Sequence, residues 1–230
     1  HSEMFPLLKT NAPNPLELFQ IWLNLPSSHK MAPPHFTMLW GETIPRQRFA
    51  DTQGRSTDVA VVAGRLHNAH AQDTLPLTPP PDSWAAQADA DVAIWTLRMD
   101  AGAAWTLPAA RAGSRRTLYF FKGQTLHVDG QRIDTHAAIE LRADAQVSLH
   151  NGEVESEFLL LQGRPIAEPV AQHGPFVMNS RAEIMQAFED YQRTQFGGWP
   201  WGDTAPVHGH DPQRFARHQD GREERPTEAN

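Results

Sequence analysis

The chain opens His1-Ser2-Glu3-Met4. An imidazole nitrogen and a carboxylate oxygen two residues apart are a donor pair suited to iron, manganese or nickel. On a strand, residues i and i+2 point to the same side, so His1 and Glu3 are expected to face one interior while Ser2 faces away. A histidine at a free N-terminus offers an alternative, gripping copper through its amine and ring together. Termini also fray unless they are tied down, which would leave both side chains as plain surface residues. Further histidines sit where strands are expected: His127, His136 and His150. His127 and His150 could approach each other in a barrel, although no carboxylate accompanies them at metal-site spacing. His208-Gly209-His210 has ligand spacing but lies in a polar tail. Asp100 and Asp129 read as turn residues, not as paired catalytic acids. Trp199 and Trp201 are expected to pack the end of the last helix back onto a barrel, with a binding role as the alternative.

The elements that must hold these groups are mostly strands. Phe19, Ile21, Leu23 and Leu25 alternate with Gln20, Trp22 and Asn24, which predicts a strand over 16–26 with one buried face. Asp58–Gly64 is a β-branched run that reads as a buried strand. Leu75–Ser83 carries four prolines and is expected to be a loop. Short strand signals then recur at Val92–Met99, Thr117–Phe121, Thr125–Gly130, Ala137–Arg142, Gln146–His150 and Glu157–Gly163, punctuated by glycine and aspartate. Such spacing points to an all-β sandwich or barrel. One helix is expected over about 180–196. Ser180 and Glu183 form a capping box, Ile184, Ala187, Phe188 and Tyr191 share a face, and Gly197-Gly198 ends it. Beyond Trp201 the chain turns polar, and 202–230 is expected to be disordered or to lie as a surface strap.

With 230 residues, 40% of them hydrophobic, the chain can bury a real core. A net charge of −7 and the lack of a basic stripe argue against direct nucleic-acid binding. There is no cysteine, which excludes disulfides and thiol catalysis. No apolar run approaches the length of a membrane span, and the first residues lack a signal-peptide pattern. A cytoplasmic location is expected.

Three stretches together carry a more specific signal: HSEM at the start, FQIWLNLPSSHKMAPPHF (19–36), and LLLQGRPIAEPVAQHGPFVMNSRAEIMQAFEDYQRTQFGGWPW (159–201). They resemble the pirin family, a branch of the cupin superfamily. The third is the most specific, because no generic strand or helix pattern requires its order of glycine, proline and polar residues. The resemblance implies an all-β bicupin, built from two double-stranded β-helix barrels and a C-terminal helix. It places a remnant of the metal-binding N-terminal cupin at 1–40, the C-terminal cupin with its closing helix at 41–201, and the tail at 202–230. On this reading the first barrel is partial and the second complete. The family's iron is held by a His-x-His pair and a later His and Glu. His1 and Glu3 match the second pair, so the first is expected upstream of this sequence.

The resemblance also implies the chemistry. The intact site would hold Fe(II) or another divalent transition metal and take dioxygen and a flavonol-type aromatic substrate, as in quercetinases. Glu3 would act as base toward the substrate hydroxyl. The alternative is a non-enzymatic, iron-responsive partner of transcription factors, acting through protein contacts. A third reading is an inactive, truncated bicupin with weak metal binding or none, and a homodimer could mend its open barrel. In the second barrel the cupin ligand positions, counted back from Tyr119–Gly123, fall near Ala109, Arg111 and Arg115. A guanidinium cannot ligate a metal, so that barrel is expected to be metal-free. Met31–His35 matches the family's post-strand loop, with His35 expected at a surface or between domains.

Overall fold

A computed structural model describes residues 1–68, 71–202 and 213–226. The contacts divide the chain into two compact units, Met31–Ala167 and His1–Lys30 with Glu168–Asn230.

The first of these units is an antiparallel β-structure of two sheets. The larger is built from β1 (Arg46–Ala50), β2 (Ser56–Ala63), β3 (Ala93–Met99), β5 (Arg115–Lys122), β8 (Ala137–Leu141) and β10 (Ser156–Gly163). Its order is β1-β2-β3-β10-β5-β8. The smaller holds β4 (Ala104–Leu107), β6 (Leu126–Val128), β7 (Gln131–Ile133) and β9 (Val147–Asn151), in the order β4-β9-β6-β7. Neighbouring strands are therefore mostly distant in sequence, as in a barrel rather than a meander.

Register explains why the alternating sequence makes one core. Directly paired residues share a face of a sheet. Val59, Leu97, Phe158 and Phe120 line up across four strands, and Val61, Trp95, Leu160 and Leu118 form the next row. All eight are 2% exposed or less. Phe120 and Phe158 stack with centroids 5.2 Å apart. Trp105, Leu149 and Val128 make the matching row of the smaller sheet. The space between the sheets is thus filled with hydrocarbon.

Every strand signal in the run from Asp58 to Gly163 lands on an observed strand. Strands β1, β4 and β7 were not anticipated. They are three to five residues long, and sequence periodicity needs a longer window. Gly64 is required by a close approach: its φ is +76°, and a Cβ there would sit 2.1 Å from the carbonyl oxygen of Val92.

The second unit contains the hairpin β11 (Ala171–His173) and β12 (Phe176–Met178), helix α1 (Arg181–Thr194), and a two-rung hairpin β13 (Ala216–Arg217) and β14 (Glu223–Glu224). The capping box at α1 forms with one change. Ser180 Oγ accepts from the Glu183 amide, while Glu183 Oε2 accepts from the amide of Asn179 rather than that of Ser180. The helix stops at Thr194, before Gly197-Gly198, because Gln195 turns left-handed at φ 51° and its amide returns to the Tyr191 carbonyl. Phe188 and Phe176 meet edge to face at 4.8 Å, so the apolar face of α1 packs on its own hairpin.

One expectation is corrected here. Residues 16–26 carry no strand. Leu16, Leu18 and Trp22 are each more than half exposed, and no ladder partner is assigned to the segment, without which alternation cannot become a sheet face. Within the polar tail, 213–226 is not featureless: Ala216 is buried, and Arg217 and His218 pair with Glu223 and Glu224 across the hairpin. His208 and His210 lie outside the described residues.

Candidate functional site

His1 and Glu3 are brought together. His1 Nε2 lies 2.9 Å from Glu3 Oε1, with side-chain exposures of 67% and 53%. The segment is not a strand, so the shared side comes from direct contact between the side chains rather than from a pleat. Both groups are chemically suited to a divalent metal, yet they are only two donors. Among the described residues no group of three or more His, Asp or Glu side chains is placed to hold a metal ion. A stable centre needs preformed geometry from several ligands. The pair alone does not fit the four-ligand site that the resemblance implies.

The same unit holds a carboxylate hub absent from the sequence reading. Glu168 accepts from the Ser27 amide at 2.7 Å, from Ser27 Oγ at 3.1 Å and from Asn179 Nδ2 at 2.8 Å. The Ser27 amide bond, followed by burial acting in opposition and the bonds from Asn179 and Ser27 Oγ, leaves its pKa below the ordinary glutamate value. Lys30 is bonded to Asn24 Oδ1 at 2.7 Å. Burial lowers the Lys30 pKa, against the pull of Glu168 and Glu183. Two of the three stretches that carry the resemblance therefore meet at Glu168. The signal in the sequence was the fixed order of GRPIAEPV, which gave no hint of the partner at Ser27.

In the β-unit, the three counted-back positions are accounted for. Ala109 is exposed. Arg111 is exposed and bonds Asp89 Oδ1 and the Ala88 carbonyl. Arg115 is exposed. Its neighbour Arg116 is the buried one, at 3% exposure. It donates to Gln162 Oε1 and to the Pro108 carbonyl, both at 2.7 Å. Burial pulls its pKa down to about 10, opposed by Asp91. Gln162 in turn donates to the Asp91 carbonyl, and the Asp91 carboxylate accepts from Ser114 Oγ and the Arg111 amide. The network joins β5 and β10 through a guanidinium and an amide, and ties both to Asp91.

The remaining candidates separate clearly. Asp100 accepts from the Ser56 amide and Asp129 from the Ser148 amide, as expected of turn residues. His35 is exposed and lines an open hollow of about 540 Å³ with Thr37, Thr78 and Pro79. Trp199 and Trp201 pack against each other at 4.9 Å. His136 packs edge-on to Phe120. His127 and His150 are cross-strand partners, with ring centroids 6.0 Å apart.

Two antiparallel sheets around one apolar interior, joined between strands distant in sequence, define a cupin-type barrel. A crystal structure of quercetin 2,3-dioxygenase from Acinetobacter baumannii matches with a TM-score of 0.60 and 28% identity, covering 76% of this chain and 55% of that one. The model of the pirin C-terminal cupin domain matches residues 94–197. A Pseudomonas aeruginosa protein provisionally named quercetin 2,3-dioxygenase is 36% identical over 177 residues, covering 76% of this chain and 57% of that protein. Pirin-1 of Arabidopsis thaliana is 32% identical over 180 residues, covering 77% of this chain and 57% of that protein. Over the matched residues the chain is similar to the pirin family. It spans about three-fifths of the length of the curated relatives it matches. No helix among the described residues is long and apolar enough to cross a membrane.

Proposed function

We propose that this chain is part of a metal-dependent dioxygenase acting on a flavonol-type aromatic substrate, with His1 and Glu3 among its metal donors. The observation that carries the reading is the 2.9 Å contact between His1 and Glu3 in a chain 36% identical to a provisionally named quercetin dioxygenase. Iron would supply the oxygen chemistry when bound. What this chain contributes is a carboxylate: Glu3, which can only accept when ionised and never donate, takes the proton of a substrate hydroxyl. Two donors cannot complete the centre, so metal retention depends on donors beyond the pair. Residues 1–40 are proposed to belong to the metal-binding cupin and 41–201 to a cupin whose counterpart ligand positions, near Ala109, Arg111 and Arg115, carry no metal ligand, with 202–230 as an appended tail. A small aromatic partner and a cytoplasmic location belong to the same proposal.

The test is iron stoichiometry. The chain is loaded anaerobically with Fe(II), freed of excess metal, and counted against a Glu3→Ala control, then assayed for quercetin turnover under air. Specific iron that disappears in the control, with turnover that disappears alongside it, supports the reading. Specific iron that survives Glu3→Ala, or turnover indifferent to it, overturns the assignment of His1 and Glu3.

A further inference from the structure

We propose that His127 and His150 form a two-imidazole site for a divalent transition cation of the zinc, nickel or copper class, on the outer face of the four-stranded sheet. The site is separate from His1 and Glu3 and does not depend on the dioxygenase reading. His127 on β6 pairs directly with His150 on β9. Their inward neighbours Leu126, Val128 and Leu149 are buried in the core, so the pleat turns both imidazoles outward. Directly opposed residues have Cβ atoms about 4.5–5.5 Å apart, within chelating reach without backbone movement.

The rings stand 6.0 Å apart, centroid to centroid, and inclined by 55°. Two imidazoles sharing a tetrahedral zinc at about 2.0–2.1 Å bring their centroids to roughly 5 Å. Small side-chain rotations close that gap. His127 Nδ1 is buried without a hydrogen-bond partner. Water supplies the remaining positions, because no third ligand is grouped with the pair among the described residues.

The surroundings tolerate a cation. Arg132 lies across from His127 on β7, but its Nε is held by both oxygens of Asp134, at 2.8 and 3.0 Å. Asp134 thereby neutralises the guanidinium beside the pair. On the other flank, Ala104 of β4 stands opposite His150 and presents only a methyl group. With no cysteine in the chain, no thiolate competes for a soft metal.

The experiment is zinc binding to the full chain by competition with a chromophoric chelator, for the parent, His127→Gln, His150→Gln and the double variant. Glu3→Ala and a His208→Ala/His210→Ala variant serve as controls. If one ion bridges both rings, either single substitution weakens one binding step by roughly tenfold or more, and the double adds little beyond a single. Both controls keep that step. Single substitutions without effect, losses that add independently, or a step lost only in a control would overturn the proposal. Each variant's thermal unfolding without metal identifies loss of fold. A variant that unfolds is replaced by His127→Asn or His150→Asn, which stays polar and changes the ligand.

Discussion

Asn151 is the residue whose replacement tests the β-unit most sharply. It ends β9, is 1% exposed, and points its amide nitrogen at three backbone carbonyls: Met99 at 3.1 Å, Asp100 at 2.9 Å and Val154 at 2.8 Å. Its Oδ1 has no partner, consistent with the nitrogen being the working end. One NH₂ carries two hydrogens, so it satisfies two carbonyls well and shares with the third. Removing it with Asn151→Ala gives up two bonds worth about 1 kcal/mol each and strands buried carbonyls, for a total loss of about 2–4 kcal/mol. With a urea m-value of about 2–3 kcal/mol/M, the midpoint falls by roughly 0.7–2 M. Asn151→Asp is worse at neutral pH, since a carboxylate would face three carbonyl oxygens. That geometry raises the new carboxyl's folded pKa above its unfolded value of about 3.9. The protonated acid can donate, so the deficit relative to the parent is smallest below pH ~4 and grows as pH rises through the raised folded pKa. Urea unfolding of the parent and both variants at acid and neutral pH measures this. An Asp variant more stable than the Ala variant at neutral pH, or a deficit that ignores pH, would refute the amide's role.

Other predictions rest on separate observations. Asp51 accepts from the amides of Gln53, Arg55 and Ala104 and from Arg55 Nε. Despite opposing desolvation, these bonds hold its pKa at about 2. Its stabilising contribution is present above the unfolded aspartate pKa and is lost as pH falls from about 4 through 2, so Asp51→Asn flattens the acid limb of a pH titration of stability. Phe120→Ala empties a fully packed position between the sheets and costs about 3–5 kcal/mol, read from chemical denaturation. Gly64→Ala destabilises through backbone clash with Val92, and its unfolding midpoint stays depressed even when the exposed positions around it are varied. Glu168→Gln keeps the shape but weakens its acceptor role toward Ser27, so hydrogen exchange of the Ser27 amide accelerates while that of core β10 amides does not.

How far the sequence could be read depended on how local each signal was. The β-unit strands that repeat apolar residues at every second position were legible, because burial on one side of a pleat imposes that period whatever the partners are. The helix start was legible for the same reason, since Ser180 and Glu183 meet within one turn. The helix end was not. Gly197-Gly198 looked decisive, but Gln195 left the helical region first. Residues 16–26 had the right alternation for a strand and became none, because pairing requires a second chain segment that periodicity cannot supply.

The site divides in the same way. Sequence alone determined the donor types at His1 and Glu3, the absence of thiolate, and a pirin pattern spread over widely separated stretches. Their contact at 2.9 Å, and the lack of a third grouped ligand among the described residues, were decided in three dimensions. Tertiary structure also put Glu168 on Ser27, buried Arg116 instead of Arg111 or Arg115, and set His127 directly across from His150. Each of these joins residues far apart in the chain, or turns one neighbour inward and the next outward. Strand register and the direction of the pleat settle the choices at Arg116, His127 and His150, and loop packing settles the one at Glu168; all are properties of the assembled chain.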